Sequence, residues 1–134
     1  MSVRLPDYDG FRDAVALILE DSTGTRFAYR DEALMQSAFA RPSNLLAYDP
    51  QADAFAAAAS MAYGVGRNHA LVDGNKRAAA AALMITLMLN GWRLDASQRL
   101  VIDTFTALAE GALDEAGLAE WARANAVSDA RFTP

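Results

Sequence analysis

Apolar positions along this chain recur mostly at helical rather than strand spacing. Tyr8, Phe11, Val15, Ile18 and Leu19 form one stripe, which predicts a first helix ending before Asp21-Ser22-Thr23-Gly24. The pattern breaks over residues 25–30, where Phe27 and Tyr29 alternate as in a brief extended piece or flap. Asp31 is a good N-cap for a second helix to about Phe39. Pro42 has no N–H to continue a helix, so residues 40–50 are expected as a loop. A third helix is predicted over residues 53–67, with Phe55, Ala59, Ala62 and Tyr63 on one face. A loop follows. Alanines at 78–82, then Leu83-Met84-Ile85-Thr86-Leu87-Met88-Leu89, predict a buried helix over residues 75–89, stopped near Gly91. Trp92 and Leu94 are expected to fold back onto the core. Ser97 caps a helix to about Ala109, ended by Gly111, and Asp114 opens a last one to about Ala124. No run alternates long enough to build a sheet. The expected architecture is all-α: one compact domain over residues 1–126 around a central buried helix, then a frayed tail over residues 127–134.

Composition narrows the functional classes. The 134 residues suit one core, and 53% hydrophobic with 22% charged residues describes a globular chain. The net charge of -5 argues against nucleic acid or a membrane surface as a partner, since both require a basic footprint. With no cysteine there is neither a disulfide framework nor thiolate chemistry. The N-terminus lacks a signal-peptide apolar region, and the run over residues 78–89 is too short to span a bilayer. A soluble, cytoplasmic protein is expected.

Candidate chemistry concentrates in one nonapeptide, His69-Ala70-Leu71-Val72-Asp73-Gly74-Asn75-Lys76-Arg77. It holds the sole histidine and the sole lysine of a chain whose other basic residues are all arginine. Lys76 and Arg77 fall in the first turn of the predicted central helix, where cations oppose the macrodipole. An anion bound at the same helix start, against its free N–H groups, makes sense of them. His69 titrates near neutrality and is the natural proton acceptor. Asp73 suits either a helix cap or Mg²⁺, a hard cation held by carboxylate and phosphate oxygens. Gly74 permits close backbone approach. Asn75 offers an amide donor to a phosphoryl oxygen, or caps the helix. Gly64-Val65-Gly66 is not a phosphate loop, because no Gly-Lys-Ser/Thr follows it.

The nonapeptide resembles the Fic/Doc signature His-x-Phe-x-Asp/Glu-Gly/Ala-Asn-x-Arg. Arg30-Asp31-Glu32-Ala33-Leu34 through Ala40-Arg41-Pro42, and Asn90-Gly91-Trp92, resemble the flanks of its Doc branch, the "death on curing" toxins. The resemblance covers roughly residues 29–122 and implies an all-helical fold. It further implies transfer of part of a nucleotide to a protein hydroxyl: His69 takes the hydroxyl proton and Asp73 binds Mg²⁺. Gly74 and Asn75 form the anion hole, and Arg77 grips phosphate.

Lys76 points to the Doc branch, since Fic adenylyltransferases resemble this stretch with glycine there. The implied activity is ATP-dependent phosphorylation of a threonine of elongation factor Tu, blocking translation, with Lys76 and Arg77 acting beside His69. A point charge suits a phosphoryl group and does not fit a glycine's space. The alternatives are AMP transfer, or a catalytically weak binding module. The motif's phenylalanine is Leu71 here, and the proline frequent after the histidine is Ala70. A second arginine of many Fic enzymes is replaced by Ala80. Thr106-Ala107-Leu108-Ala109-Glu110-Gly111 matches the letters of a Fic inhibitory segment, yet a glutamate ending a helix before glycine is commonplace. The resemblance instead implies a separate Phd-like antitoxin whose amphipathic segment folds into a groove.

Overall fold

The computed structural model describes residues 2–132. Six helices follow in order: α1 (Tyr8–Thr23), α2 (Glu32–Tyr48), α3 (Ala54–Asn68), α4 (Asn75–Leu89), α5 (Gln98–Ala109) and α6 (Glu115–Asn125). Two short strands, β1 (Trp92–Leu94) and β2 (Ala126–Ser128), pair antiparallel, and a 3₁₀ turn spans Ala130–Phe132. The fold is all-α. Five helix starts are chemically fixed: Asp7, Asp31, Asp53, Ser97 and Asp114 each accept a backbone N–H of the first turn. The sixth start, that of α4, has no side-chain cap.

The core forms where α3 and α4 meet, and it is built from small residues. Ala57, Ala58, Ala59, Ala62, Ala78, Ala79 and Ala82 are fully buried. Such a surface lets two helix backbones approach closely with little side-chain entropy to lose. The glycines of α3 take the approach further. A Cβ on Gly64 would lie 2.5 Å from Cδ of Arg41 on α2, and one on Gly66 would lie 2.4 Å from Cδ2 of Leu108 on α5. Larger residues close the periphery, with Phe11, Val15 and Leu19 from α1, Met35 from α2, and Phe105 and Leu108 from α5. The side chain of α4 that carries a hydroxyl, Thr86, is buried and donates to Ala82 O at 2.9 Å.

Three expectations need correction. First, α2 does not stop at Pro42 but runs through it to Tyr48. Pro42 is buried, and its neighbour Arg41 donates from Nε to Ser60 O of α3 (3.0 Å) and pairs with Glu115 of α6. Tertiary packing of this face outweighs the lost backbone bond. Second, a sheet exists, though a minimal one: Trp92 pairs with Ser128, Arg93 with Val127 and Leu94 with Ala126. Third, residues 127–132 are not frayed, because Val127 and Ser128 belong to β2 and Asp129 N donates to Gly91 O at 3.0 Å. Thr133 and Pro134, also expected in that tail, lie outside the described residues. No helix among the described residues is long and apolar enough to cross a membrane.

The close α3–α4 contact yields a test. Leucine has nearly alanine's helix propensity, so Ala79→Leu isolates packing from propensity. Overpacking this fully buried position should lower the free energy of unfolding by about 1–3 kcal/mol. Urea denaturation followed by circular dichroism measures it.

Candidate active site

The loop joining α3 to α4 carries the candidate chemistry, and its shape follows from a few backbone requirements. His69 ends α3 in the left-handed region (φ 51), the one such residue other than glycine among the described residues. Arg30 fastens this end: its Nε donates to His69 O at 2.7 Å and its Nη2 to Asn68 O at 3.3 Å. A cation on the last carbonyls of a helix also complements its dipole. Asn68 Nδ2 adds a bond to Leu34 O at 2.9 Å. The imidazole itself is exposed and has no hydrogen-bond partner among the described residues.

The loop is anchored by Leu71, 1% exposed. Leu71 forms an antiparallel bridge with Tyr29, flanked by Arg30 N to Ala70 O (2.7 Å) and Val72 N to Ala28 O (3.0 Å). In such a pair the N–H and C=O of Leu71 point away from Tyr29. Asn75 satisfies both: its Oδ1 accepts from Leu71 N and its Nδ2 donates to Leu71 O, each at 3.0 Å. The side-chain amide thus acts as one more strand beside the loop. On the far side, the backbone N–H and C=O of Phe27 and Tyr29 have no partner among the described residues. Residues 25–30 therefore pair with the loop along one edge and leave the other open, the extended piece that the Phe27/Tyr29 alternation predicts.

Gly74 occupies the N-cap of α4 at φ 83, a conformation that disfavours other residues. Space demands glycine as well, because a Cβ would lie 2.8 Å from Cδ2 of Leu19. Neither Asp73 nor Asn75 is the cap. Asp73 is exposed, and its Oδ1 accepts the N–H of the adjacent Gly74 at 2.8 Å. The first intrahelical bond of α4 is Ala78 N to Gly74 O (2.9 Å), so the N–H groups of Asn75, Lys76 and Arg77 precede the ladder. The side chains of Lys76 and Arg77 stand in that first turn without an ion pair or hydrogen bond among the described residues. An uncapped helix start bearing two unpartnered cations can bind an anion, and His69 at the other end of a short loop can take a proton beside it.

The family model described as the Fic/DOC family matches residues 6–87. This chain belongs to the Fic/DOC family. The match runs from the start of α1 into the last turn of α4 and contains the whole candidate loop. The chain is also similar to Toxin Doc of Mycolicibacterium smegmatis, at 40% identity over 74 residues, covering 54% of this chain. The matched part spans 57% of that relative. Leu71, which stands where the motif has phenylalanine, is buried.

Several structural contributors carry no recognisable chemical signal in sequence. Arg30 holds the His69 carbonyl, and Leu19 dictates Gly74 from another helix. Asn90, at the opposite end of α4, repeats the device of Asn75: its Oδ1 accepts from Arg4 N (2.8 Å) while its Nδ2 donates to Arg4 O and Thr86 O (2.9 and 2.7 Å). Glu110, the C-cap of α5, makes no ion pair with Arg77. The last carbonyls of α5 are taken instead by Arg67, whose Nη1 lies 3.1 Å from Ala109 O.

Replacing Asn75 by alanine strands the N–H and C=O of a buried residue. The Asn75→Ala variant should lose about 1–3 kcal/mol of stability, read as a lower urea midpoint. Asn75→Asp keeps the acceptor but not the donor, and it should fall between wild type and Asn75→Ala.

Proposed function

We propose that this chain is a Doc-type toxin that transfers the γ-phosphoryl group of ATP to a protein hydroxyl. The observation carrying the reading is the pair Lys76 and Arg77 at the start of α4, the one helix start without a side-chain cap among the described residues, where neither these cations nor the His69 imidazole across the loop has a partner. Similarity to Toxin Doc supports the branch. The resemblance of the nonapeptide supports elongation factor Tu as target, through a threonine, with arrest of translation as the consequence.

The residues fit a bound nucleotide. Backbone N–H groups of Asn75, Lys76 and Arg77, with both side-chain cations, suit phosphate oxygens. Asn75 contributes through its backbone, since its amide is held by Leu71. Asp73 keeps Oδ2 free beyond its bond to Gly74 N, and one carboxylate with phosphate oxygens is a usual Mg²⁺ environment. Among the described residues no three His, Cys, Asp or Glu side chains lie together, so phosphate and water complete such a shell. When bound, ATP with Mg²⁺ supplies the phosphoryl group and neutralises its charge. His69 accepts the target hydroxyl proton, and Lys76 and Arg77 hold the transferred group in line with it. The open backbone edge at Phe27 and Tyr29 suits an extended target segment added as a strand, which brings its hydroxyl to His69.

Control falls to a separate Phd-like antitoxin, whose amphipathic helix would lie in an apolar groove. A depression of about 320 Å³ lined by Ile85, Met88, Leu89, Arg4 and Phe132 suits that contact. It sits roughly 15 Å from Arg77 along the axis of α4. A weak binding module has less support, because Leu71 and Ala70 are as buried as the anchoring role requires.

Intact-mass spectrometry of elongation factor Tu after incubation with ATP and Mg²⁺ should show one added phosphoryl group and no AMP. His69→Ala should abolish transfer while folding persists, since loss of a positioned base costs about two to four orders of magnitude. Lys76→Gly should sharply reduce phosphorylation and can admit AMP transfer. An AMP adduct with the unaltered protein moves the reading to adenylyltransfer.

ATP with Mg²⁺ should also raise the melting temperature by preferential binding to the folded state. In Arg77→Ala most of that rise should vanish; a rise of wild-type size would remove Arg77 from the phosphate site.

A further inference from the structure

The open backbone edge at Tyr29 is tied to the helices by a chain of hydroxyls that the chemistry above does not use. Tyr8 is the first residue of α1, and Glu32 is the first residue of α2. The Tyr8 hydroxyl lies 2.9 Å from the Tyr29 hydroxyl and donates to Glu32 Oε2 at 3.1 Å. A carboxylate only accepts, and a phenol has one proton. Tyr8 therefore spends its proton on Glu32, and Tyr29 must donate to Tyr8. The order is fixed: Tyr29 to Tyr8 to Glu32. Burial first, then the bonds to Tyr29 and Glu32, pushes the Tyr8 phenol well above its ordinary range, so the Tyr8 hydroxyl keeps the proton it donates.

Ring contacts join α1 to α2 and, separately, brace the segment within itself. Tyr8 meets Phe39 of α2 edge-on at 5.2 Å, and Phe27 meets Tyr29 edge-on at 5.1 Å. The strand-like segment is thus secured on one edge by backbone bonds to Ala70 and Val72, and by the Tyr29 side chain to α1 and α2. Backbone bonds on a single edge act as a hinge line about which a short segment can rotate. A second attachment off that line fixes the rotation. It thereby fixes the direction in which the free N–H and C=O of Tyr29 point.

We propose that Tyr8, Tyr29 and Glu32 form a latch that sets the orientation of the open edge at residues 27–29, and so positions the extended target segment for transfer. Tyr8 and Glu32 are positioning residues, acting through Tyr29. The role rests on the proposed phosphoryl transfer, and the test separates the two. The latch touches neither the phosphate-binding turn nor His69, so its loss should be felt by the protein target and not by ATP.

The experiment measures steady-state transfer to elongation factor Tu, with each substrate varied, for Tyr8→Phe, Tyr29→Phe and Glu32→Ala. Amide hydrogen exchange of Arg30 and Val72 is followed in parallel. The expected result is a KM for the target raised about five- to tenfold, the factor belonging to one neutral hydrogen bond. The kcat and the KM for ATP should stay within about twofold, and the double variant Tyr8→Phe/Tyr29→Phe should match either single one. Glu32→Gln, which keeps an acceptor oxygen, should restore the target KM. Exchange of Arg30 and Val72 should quicken in the three disrupted variants. Unchanged exchange overturns the latch, whatever the activity. Faster exchange with an unchanged target KM, or with an equal loss for ATP, overturns its positioning role. An unaltered protein that transfers nothing overturns the transfer reading and the positioning role with it, while the exchange data still judge the latch.

Discussion

The approach of α3 to α4 through alanine and glycine is the constraint on which the rest of the molecule depends. Seven alanines on the two helices are completely buried, and Gly64 and Gly66 admit α2 and α5 where any Cβ would collide. A short connection joins the two helices. That connection is the loop bearing His69, and the same packing puts the start of α4 beside it. Chemistry and core are thus one construction. Of these two buried helices, α4 is the one whose N-terminus is left without a side-chain cap, while every other helix start among the described residues has one. Such an end exposes donors that only an anion or water satisfies.

Asparagine performs the fastening at both ends of α4. Asn75 closes the N–H and C=O of Leu71, and Asn90 does so for Arg4. A primary amide presents a donor and an acceptor side by side, as a strand does, so one side chain can finish a backbone that has no partner. At Asn75 this keeps the loop rigid although it contains no regular structure. On the proposed reading, rigidity matters there because a proton acceptor and a phosphate site would have to hold a fixed separation. Arg30, on the His69 carbonyl, fixes the other end of the same loop.

Much of this was legible in the residues, and what was not has identifiable causes. Helix starts could be read because Asp31, Ser97 and Asp114 are caps by local chemistry, needing nothing distant. The extent of α4 could be read from its alanine run, and the loop from the coincidence of the sole histidine and sole lysine. Pro42 misled because its local cost is outweighed by burial against α3 and by Arg41 reaching Ser60 and Glu115, contacts remote in sequence. The strands escaped because three residues cannot display an alternation, and β1 meets β2 across two intervening helices. Within the site, residue types were visible but their employment was not. Asn75 reads equally well as a ligand donor or a cap, and only its distance to Leu71 shows that its amide is taken. Gly74 is demanded by Leu19, which no spacing rule connects to it.

The central claim is that the uncapped start of α4 is a phosphate site. Nuclear magnetic resonance of the ¹⁵N-labelled protein titrated with ATP and Mg²⁺ tests it most directly. The account predicts the largest amide shifts at Asn75, Lys76 and Arg77, with the His69 ring perturbed alongside and the region of Ile85, Met88 and Phe132 unmoved. Shifts centred on that apolar depression, or none along the first turn of α4, would contradict it.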